Sequence, residues 1–158
     1  MNRIYREYFP EKFPARSALQ VLSLPGISVV VVVSGQTRRE TFVLPNVGAF
    51  YCSHGVRVGN TLYVSGMYER NNTGLTFAQE IRQVLNNVKS VVEKARLTLK
   101  HVAKTTVFLK NWDNYNEMNN IYREYFPEKF PARSALQVVA LAEGARVAIE
   151  AVAVHSDL

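Results

Sequence analysis

Two β-strands are predicted in FPARSALQVVALAEGARVAIEAVAV, the stretch from Phe130 to Val154. The first strand spans Phe130–Val138 and the second spans Arg146–Val154. The second strand is apolar at nearly every position except Glu150, a pattern typical of a strand that is buried on both faces. We therefore expect other elements to cover both faces of this strand.

Two helices are predicted upstream of this stretch. One runs from about Phe77 to Leu97, with Thr76 as its N-cap, because its apolar residues recur at helical spacing. The other runs from Asp113 to about Phe126 and ends before Pro127. We expect one side of the second helix to face the core, and its members are Trp112, Tyr115, Met118, Tyr122 and Tyr125.

Short strands are predicted before and between the two helices. They span Thr41–Leu44, Thr61–Ser65 and His101–Lys110. In the last of these, alternation places Val102, Thr106 and Phe108 on one face. Strands that alternate with two long helices indicate an α/β layer in which both helices pack against one sheet.

Composition limits the class of protein. The 158 residues suit one domain, or one domain with an appendage, and the hydrophobic content of 47% is that of a globular protein. The net charge of +6 permits an anionic partner, but the basic residues are scattered, which does not favour nucleic acid. A single cysteine, Cys52, favours a reducing compartment, and no targeting or membrane-spanning segment is recognised. We therefore expect a cytoplasmic protein without a membrane partner.

The same eighteen residues occur twice. IYREYFPEKFPARSALQV runs from Ile4 to Val21 and again, unchanged, from Ile121 to Val138. The first copy is followed by Ile27–Val33, a β-branched run that predicts a buried strand. Residues 1–40 are too few to fold alone, so we expect this appendage to dock as an added strand or to swap into a neighbouring subunit.

Four stretches of the sequence carry a family resemblance. They are VGNTLYVSG (Val58–Gly66), VAKTTVFLKNWDNYNEMN (Val102–Asn119), FPARSALQV (Phe130–Val138) and AIEAVAV (Ala148–Val154). In this order they make residues 41–158 resemble the RidA (YjgF) family of imine deaminases, also known as endoribonuclease L-PSP proteins. Residues 1–40 then resemble a partial duplicate of the C-terminal third of such a domain.

The resemblance implies a fold and an assembly. The fold is α+β and chorismate-mutase-like, with a six-stranded mixed sheet and two helices on one face. The assembly is a homotrimer with a barrel-like core and a ligand cleft between neighbouring subunits. The implied reaction is hydrolysis of enamines and imines such as 2-iminopropanoate to 2-oxo acids and ammonia, without metal or organic cofactor.

The resemblance also assigns a ligand site. Arg133 matches the arginine that binds the substrate carboxylate, a role suited to a guanidinium because it forms two parallel hydrogen bonds. Ser65, Gly66 and Asn119 match positions that line the cleft. Without the resemblance, Arg133 is more typical of a surface ion pair than of a ligand site, and Ser65 and Asn119 are unremarkable polar residues.

Three positions depart from the family pattern. Ala135 stands where deaminases commonly have cysteine, although its backbone can still contact a ligand. Ala148 replaces the first glutamate of the family's VEIEA strand, the residue that helps to place water. Glu150 matches the second glutamate and shares a strand face with position 148. We name Glu150 with Arg133 as the catalytic candidates, and the alternative for Glu150 is a structural carboxylate at the trimer interface.

The segment GAFYCSHG (Gly48–Gly55) departs from the family's GPYSQA. Its register leaves two candidates for the family tyrosine position, Tyr51 and Cys52. Cys52 and His54 also allow a nucleophile–base pair, but no orienting acid is visible in the sequence. Cys52, His54 and His101 lack any recognised metal-ligand spacing.

Three functions remain open from the sequence. The first is an imine deaminase acting on small 2-imino acids. The second is a non-catalytic trimer that binds small carboxylates as a sensor or chaperone-like module, which the loss of the glutamate at position 148 favours. The third is RNA binding or cleavage, for which the chain is basic but has no stacking motif and no acid–base pair.

Overall fold

The computed structural model describes Glu7 and residues 19–20, 39–45, 47 and 52–155. Two helices and eight strands lie within this part of the chain. The helices are α1 (Phe77–Lys94) and α2 (Tyr115–Tyr125). The strands are β1 (Leu19–Gln20), β2 (Arg39–Phe42), β3 (Gly55–Val58), β4 (Thr61–Tyr68), β5 (Val102–Leu109), β6 (Ala132–Gln137), β7 (Ala140–Leu141) and β8 (Val147–Val154).

Six of these strands form one mixed sheet in the order β2-β3-β4-β8-β5-β6. Strands β5 and β6 are parallel, and the other neighbours are antiparallel. The predicted mixed six-stranded sheet with two helices is therefore confirmed. The strand rich in alanine and valine, β8, lies between β4 and β5 near the middle of the sheet.

Both helices connect parallel strands. The chain runs from β4 through α1 to β5, and then from β5 through α2 to β6, moving across the sheet in the same direction each time. Because such crossovers are right-handed, both helices come to the same face. The apolar sides of the helices and of the sheet share one core, which includes Ile81, Leu85, Met118, Ile149 and Ala151.

The described residues cover only part of the opposite face of the sheet, which we call the helix-free face. Phe108 and Ala148 are buried there in a second apolar cluster with Val138 and Leu141. Leu136 is 47% exposed and Val154 is 42% exposed. The prediction that both faces of β8 are covered is thus confirmed on the helix side, and among the described residues it is confirmed on the other side only near Ala148.

Local signals decide where the helices begin and end. Thr76 and Gln79 form a reciprocal capping box at the start of α1. The predicted extension of α1 to Leu97 is wrong, because Arg96 adopts a φ of 60° and turns the chain. Helix α2 begins at Tyr115 rather than Asp113, because Trp112–Asn114 forms a 3₁₀ turn in front of it.

One prediction about β5 is wrong. Val102 belongs to the helix-side core, whereas Phe108 lies in the cluster on the helix-free face. The pairing of β5 with β8 shifts register between Val102 and Lys104. This bulge inserts an extra residue, so alternation counted from Val102 gives the wrong face for the rest of the strand.

The N-terminal copy contributes one described contact to the domain. Strand β1 pairs antiparallel with β7, with Leu19 opposite Leu141 and Gln20 opposite Ala140. The predicted strand Ile27–Val33 lies outside the described residues. The proposed boundary after residue 40 falls inside β2, so the sheet itself begins at Arg39.

An ion pair between the buried Glu80 and the partly exposed Arg146 joins α1 to the residue that precedes β8. Glu80 is fully buried and accepts hydrogen bonds from the backbone N–H of Arg146, at 2.7 Å, and from its guanidinium Nε. Arg146 also donates to the Leu75 carbonyl at 2.8 Å. In the part of the chain that is described, neither helix is long and apolar enough to cross a bilayer.

Candidate functional site

Arg133 lies on the edge strand β6, with its guanidinium against α2. Its Nη2 donates to Asn119 Oδ1 at 2.7 Å. The guanidinium carbon lies 4.8 Å from the centre of the Tyr122 ring, close enough for cation–π attraction. The crossover from α2 to β6 therefore brings together Arg133 and Asn119, two residues that the sequence predicted to share a site.

Two more neutral acceptors surround the guanidinium. The Tyr115 hydroxyl lies 3.5 Å from Nη2, and the Met118 sulfur lies 3.7 Å from Nη1. We call Arg133, Asn119, Tyr115, Met118 and Tyr122 the Arg133 cluster. Within the described residues, no carboxylate forms an ion pair with Arg133. Its half-buried positive charge is thus oriented by neutral groups, which is the arrangement expected of an anion site.

Tyr122 is held beneath Arg133 by a second hydrogen bond. Its hydroxyl and that of the buried Thr105 lie 2.8 Å apart. Burial raises the pKa of Tyr122, although the bond to Thr105 and the charge of Arg133 oppose the rise. The ring therefore stays neutral at physiological pH and serves as a fixed support for the guanidinium.

The second candidate, Glu150, lies elsewhere. A bulge in β4 places Ser65 and Gly66 between the paired positions Val64 and Met67, so that both face Glu150 on β8. Ser65 is buried and donates its hydroxyl hydrogen to the Ser53 carbonyl at 2.6 Å. The structure thus brings Ser65 and Gly66 next to Glu150, and the bond from Ser65 to Ser53 brings the segment that contains Cys52 alongside β4.

Sequence reasoning missed Tyr68 at this place. Tyr68 lies opposite Ala148 in the pairing of β4 with β8 and packs against the cluster on the helix-free face. Burial raises its pKa, and the charge of Glu143 adds to that rise. Arg70 hydrogen-bonds Tyr68 and forms a two-pronged ion pair with Glu143, with Nε 2.8 Å from Oε2. We call Glu150, Ser65, Gly66, Cys52 and Tyr68 the Glu150 cluster.

The two clusters lie far apart in one chain. Arg133 contacts α2 on the helix side, whereas Glu150 alternates with the core residues Ile149 and Ala151 and so faces the helix-free side. Strands β4 and β6 are three spacings apart, roughly 14 Å. A single chain therefore does not bring Arg133 and Ser65 onto one small ligand.

The remaining candidates have less direct roles. Ala135 pairs with Val107 and packs against the helix-side core. Tyr51 lies outside the described residues. His54 is buried, and its Nδ1 accepts the Leu44 backbone N–H at 2.7 Å. That bond gives His54 a structural role at the end of β2 and engages one of the two nitrogens that a nucleophile–base pair with Cys52 would need.

The aromatic stripe predicted to face the core is only partly buried. Met118 and Tyr122 are buried, but Trp112 is 42% exposed. The prediction is wrong for Trp112 because this residue lies in the 3₁₀ turn, where helical spacing does not apply. Among the described residues, no group of three or more histidine, cysteine, aspartate or glutamate side chains is placed to hold a metal ion.

Comparison with known proteins identifies the family. The model of the family described as endoribonuclease L-PSP matches residues 44–155. The human protein named 2-iminobutanoate/2-iminopropanoate deaminase is 38% identical over 111 residues, which are 67% of this chain and 81% of the human protein.

Solved structures agree with the sequence match. The E. coli YjgF gene product has a TM-score of 0.68 and 32% identity, and the match covers 74% of this chain and 99% of that one. The E. coli protein TdcF, solved with bound serine, has a TM-score of 0.67 and 25% identity over 74% and 100% of the two chains. The chain therefore belongs to the RidA/YjgF family, the proteins described as endoribonuclease L-PSP.

Proposed function

We propose that this protein hydrolyses small 2-imino acids, such as 2-iminopropanoate, to 2-oxo acids and ammonia. The observation that carries the proposal is the Arg133 guanidinium, which is half-buried, oriented by neutral acceptors and paired with no described carboxylate. A substrate carboxylate is the anion that this geometry suits, because it accepts two parallel hydrogen bonds from one guanidinium. The relative named as a deaminase of such imino acids supports the same reaction.

The reaction needs positioning more than covalent catalysis. The oxygen of a water molecule attacks the carbon of the protonated C=N bond and loses a proton, giving a carbinolamine. The nitrogen then takes up that proton and the C–N bond breaks, after which the departing ammonia removes the hydroxyl proton and leaves as ammonium, with the 2-oxo acid as the other product. Arg133 fixes the carboxylate beside the reacting carbon, and we assign acceptance of the water proton to Glu150.

The two clusters must come from two copies of the chain for this reaction. A three- or four-carbon acid cannot span the roughly 14 Å that separates β4 from β6 across the sheet. The exposed Leu136 and Val154 give the helix-free face an apolar surface for self-association. We therefore propose that the Arg133 cluster of one copy meets the Glu150 cluster of its neighbour in the homotrimer that the family resemblance implies.

A non-catalytic carboxylate-binding protein is the second candidate. Ala148 offers no carboxylate on the helix-free face, and Ala135 offers no thiol beside Arg133. The relative TdcF was solved with bound serine, which is itself a small carboxylate. Both candidates share the Arg133 site and differ only in whether a bound imine is hydrolysed faster than in water.

One assay separates these candidates. 2-Aminoacrylate is generated in situ by a dehydratase, and the release of ammonia and pyruvate is timed with and without the protein. We expect acceleration by the wild type and a loss of about 100-fold with Arg133→Ala. Arg82→Ala is the matched control, because this exposed arginine pairs with Glu124, which is not a member of the Arg133 cluster. Ligand-induced thermal stabilisation without acceleration would favour the non-catalytic candidate.

A further inference from the structure

An exposed aromatic shelf begins at the Arg133 cluster. The rings of Trp112 and Tyr115 are stacked with centres 4.5 Å apart and planes inclined by 13°. Trp112 is 42% exposed even though one of its faces lies against Tyr115. The shelf therefore offers an aromatic surface to solvent beside the guanidinium that binds anions.

Local hydrogen bonds fix the backbone turn that carries Trp112, and its indole stacks on Tyr115. Trp112 opens the 3₁₀ turn Trp112–Asn114, for which Asn111 is the N-cap. Asn111 Oδ1 accepts the Asp113 backbone N–H at 3.0 Å, and Asn111 Nδ2 donates to the Asp113 carboxylate at 3.1 Å. A large apolar side chain that is rigid and exposed gives binding surface at a low entropic cost.

Arg133 sits at the hydroxyl end of the shelf. Its Nη2 is 3.5 Å from the Tyr115 oxygen, whereas its central carbon is 5.9 Å from the centre of the Tyr115 ring. At about 1.5 Å per C–C bond, a three-carbon acid that ends in a ring separates its carboxylate from the ring centre by roughly 5 Å. Such an acid can thus meet the guanidinium with its carboxylate while its ring lies along the shelf.

From this geometry we propose that the Arg133 site binds 2-imino and 2-oxo acids with an aromatic side chain in preference to their aliphatic counterparts, and that Trp112 and Tyr115 determine this preference. The inference deepens the proposed function and rests on it for the imino acids. A stacked aromatic pair contributes attraction beyond its buried area, which a methyl side chain cannot obtain. Trp112 acts through the ligand side chain and takes no part in the chemical step.

The single tryptophan of the chain gives a test of binding that does not depend on turnover. The intrinsic fluorescence of the full-length protein is titrated with 3-phenylpropanoate and, separately, with propanoate, both of which are unreactive. We expect 3-phenylpropanoate to change the Trp112 emission with a Kd about ten-fold below that of propanoate measured by competition. Arg133→Ala should abolish the response, and Val43→Ala, which removes an exposed apolar side chain elsewhere, should leave it unchanged.

Kinetics give the second test. An amino-acid oxidase generates the imines of phenylalanine and alanine, and the rates of hydrolysis are compared. Trp112→Leu should lower kcat/KM for the aromatic imine about ten-fold and alter that for 2-iminopropanoate less than about two-fold, and Trp112→Tyr should restore most of the loss.

Each outcome decides one of the two proposals. Equal affinity for the two acids, or an emission spectrum that shifts with protein concentration alone because another copy covers Trp112, overturns the aromatic preference. Hydrolysis of 2-iminopropanoate without any preference for the aromatic imine leaves the proposed function standing and rejects the shelf. Tight binding of 3-phenylpropanoate without hydrolysis of either imine supports the aromatic preference and rejects the proposed function.

Discussion

At the scale of single residues, the amide of Asn119 keeps Arg133 available. Its oxygen accepts from Nη2 at 2.7 Å without supplying a negative charge. A carboxylate at this position would have the same shape and would neutralise the guanidinium. The difference between an amide and a carboxylate at residue 119 therefore decides whether Arg133 serves a ligand or an internal ion pair.

The substitution Asn119→Asp tests this directly. We expect the affinity for 2-oxobutanoate to fall about 30-fold, because the new carboxylate competes for the guanidinium, while the melting temperature stays the same or rises. Isothermal titration and thermal unfolding measure the two effects. Asn120→Asp is the control, since this neighbouring amide is exposed, and equal loss in both variants would contradict the assigned role of Asn119.

His54 predicts a pH dependence of stability. Burial lowers its pKa from the usual 6.5, so the unfolded chain takes up a proton at a higher pH than the folded chain does. The free energy of unfolding should therefore decrease as the pH falls below about 6.5, before most carboxylates titrate. Urea unfolding between about pH 5 and 7 measures the slope.

The histidine variants separate this contribution from others. His54→Gln should flatten the slope, whereas the exposed His155→Gln should retain it. A wild-type stability that does not vary over this interval would mean that His54 is protonated equally readily in both states.

At the scale of elements, Glu80 couples the start of α1 to the entry of β8. It accepts from both the backbone and the side chain of Arg146, and its own side chain is fully buried. We expect Glu80→Ala to lower the free energy of unfolding by about 2 kcal/mol, since it leaves two donors of the partly exposed Arg146 without their acceptor.

Denaturant unfolding measures that loss. Glu93→Ala is the matched control, because Glu93 makes an exposed pair with Lys89 at 3.7 Å and should change stability by less than about 0.5 kcal/mol. If both variants cost the same, the pair between Glu80 and Arg146 contributes no more than an ordinary surface contact.

Helices and strands were predictable from the sequence wherever the spacing of their apolar residues is regular. The stripe from Ile81 to Ala95 and the cap at Thr76 located α1, because helical spacing and capping act within a few residues. The bulges in β4 and β5 were not predictable, since alternation cannot show where a strand gains a residue. The same limit hid Tyr68, which faces Ala148 only because of the bulge at Ser65 and Gly66.

The candidate site was predictable in part, because some of its residues are close together along the chain and others are not. Asn119 and Arg133 were expected together, and the crossover from α2 to β6 unites them. Their separation from Glu150 depends on strand order and sheet face, which no local pattern contains. Trp112 was wrongly predicted to face the core because it lies in a 3₁₀ turn directly before α2. Residues in such a turn do not follow the spacing of 3.6 residues per turn on which the prediction was based.

At the scale of the whole molecule, the contribution of the N-terminal copy can be measured by deletion. The described contact is the two-residue ladder between β1 and β7, and the Arg133 cluster is built from residues 115–133. We expect removal of residues 1–38, which preserves β2, to lower the free energy of unfolding by about 1 kcal/mol and to leave carboxylate binding unchanged.

Thermal unfolding and sedimentation of the shortened chain check this expectation. If the full-length and shortened chains have the same stability and the same assembly, the N-terminal copy has no structural role. Loss of folding on deletion would show that it is an integral part of the core, contrary to the small ladder that joins it to β7.

The edge position of β6 has a consequence for how the chain folds. Among the described strands, β6 pairs only with β5, and its sequence ARSALQ is also present at residues 15–20. Two segments of identical sequence can therefore pair with the same edge of β5 during folding. The authentic segment is connected to β5 through residues 110–131 and the duplicate through residues 21–101, a path about four times as long, whose closure costs about 1 kcal/mol more. Chain entropy thus favours the local segment only several-fold, and refolding should pass through a minority of mispaired molecules that must exchange strands before the guanidinium of Arg133 reaches α2.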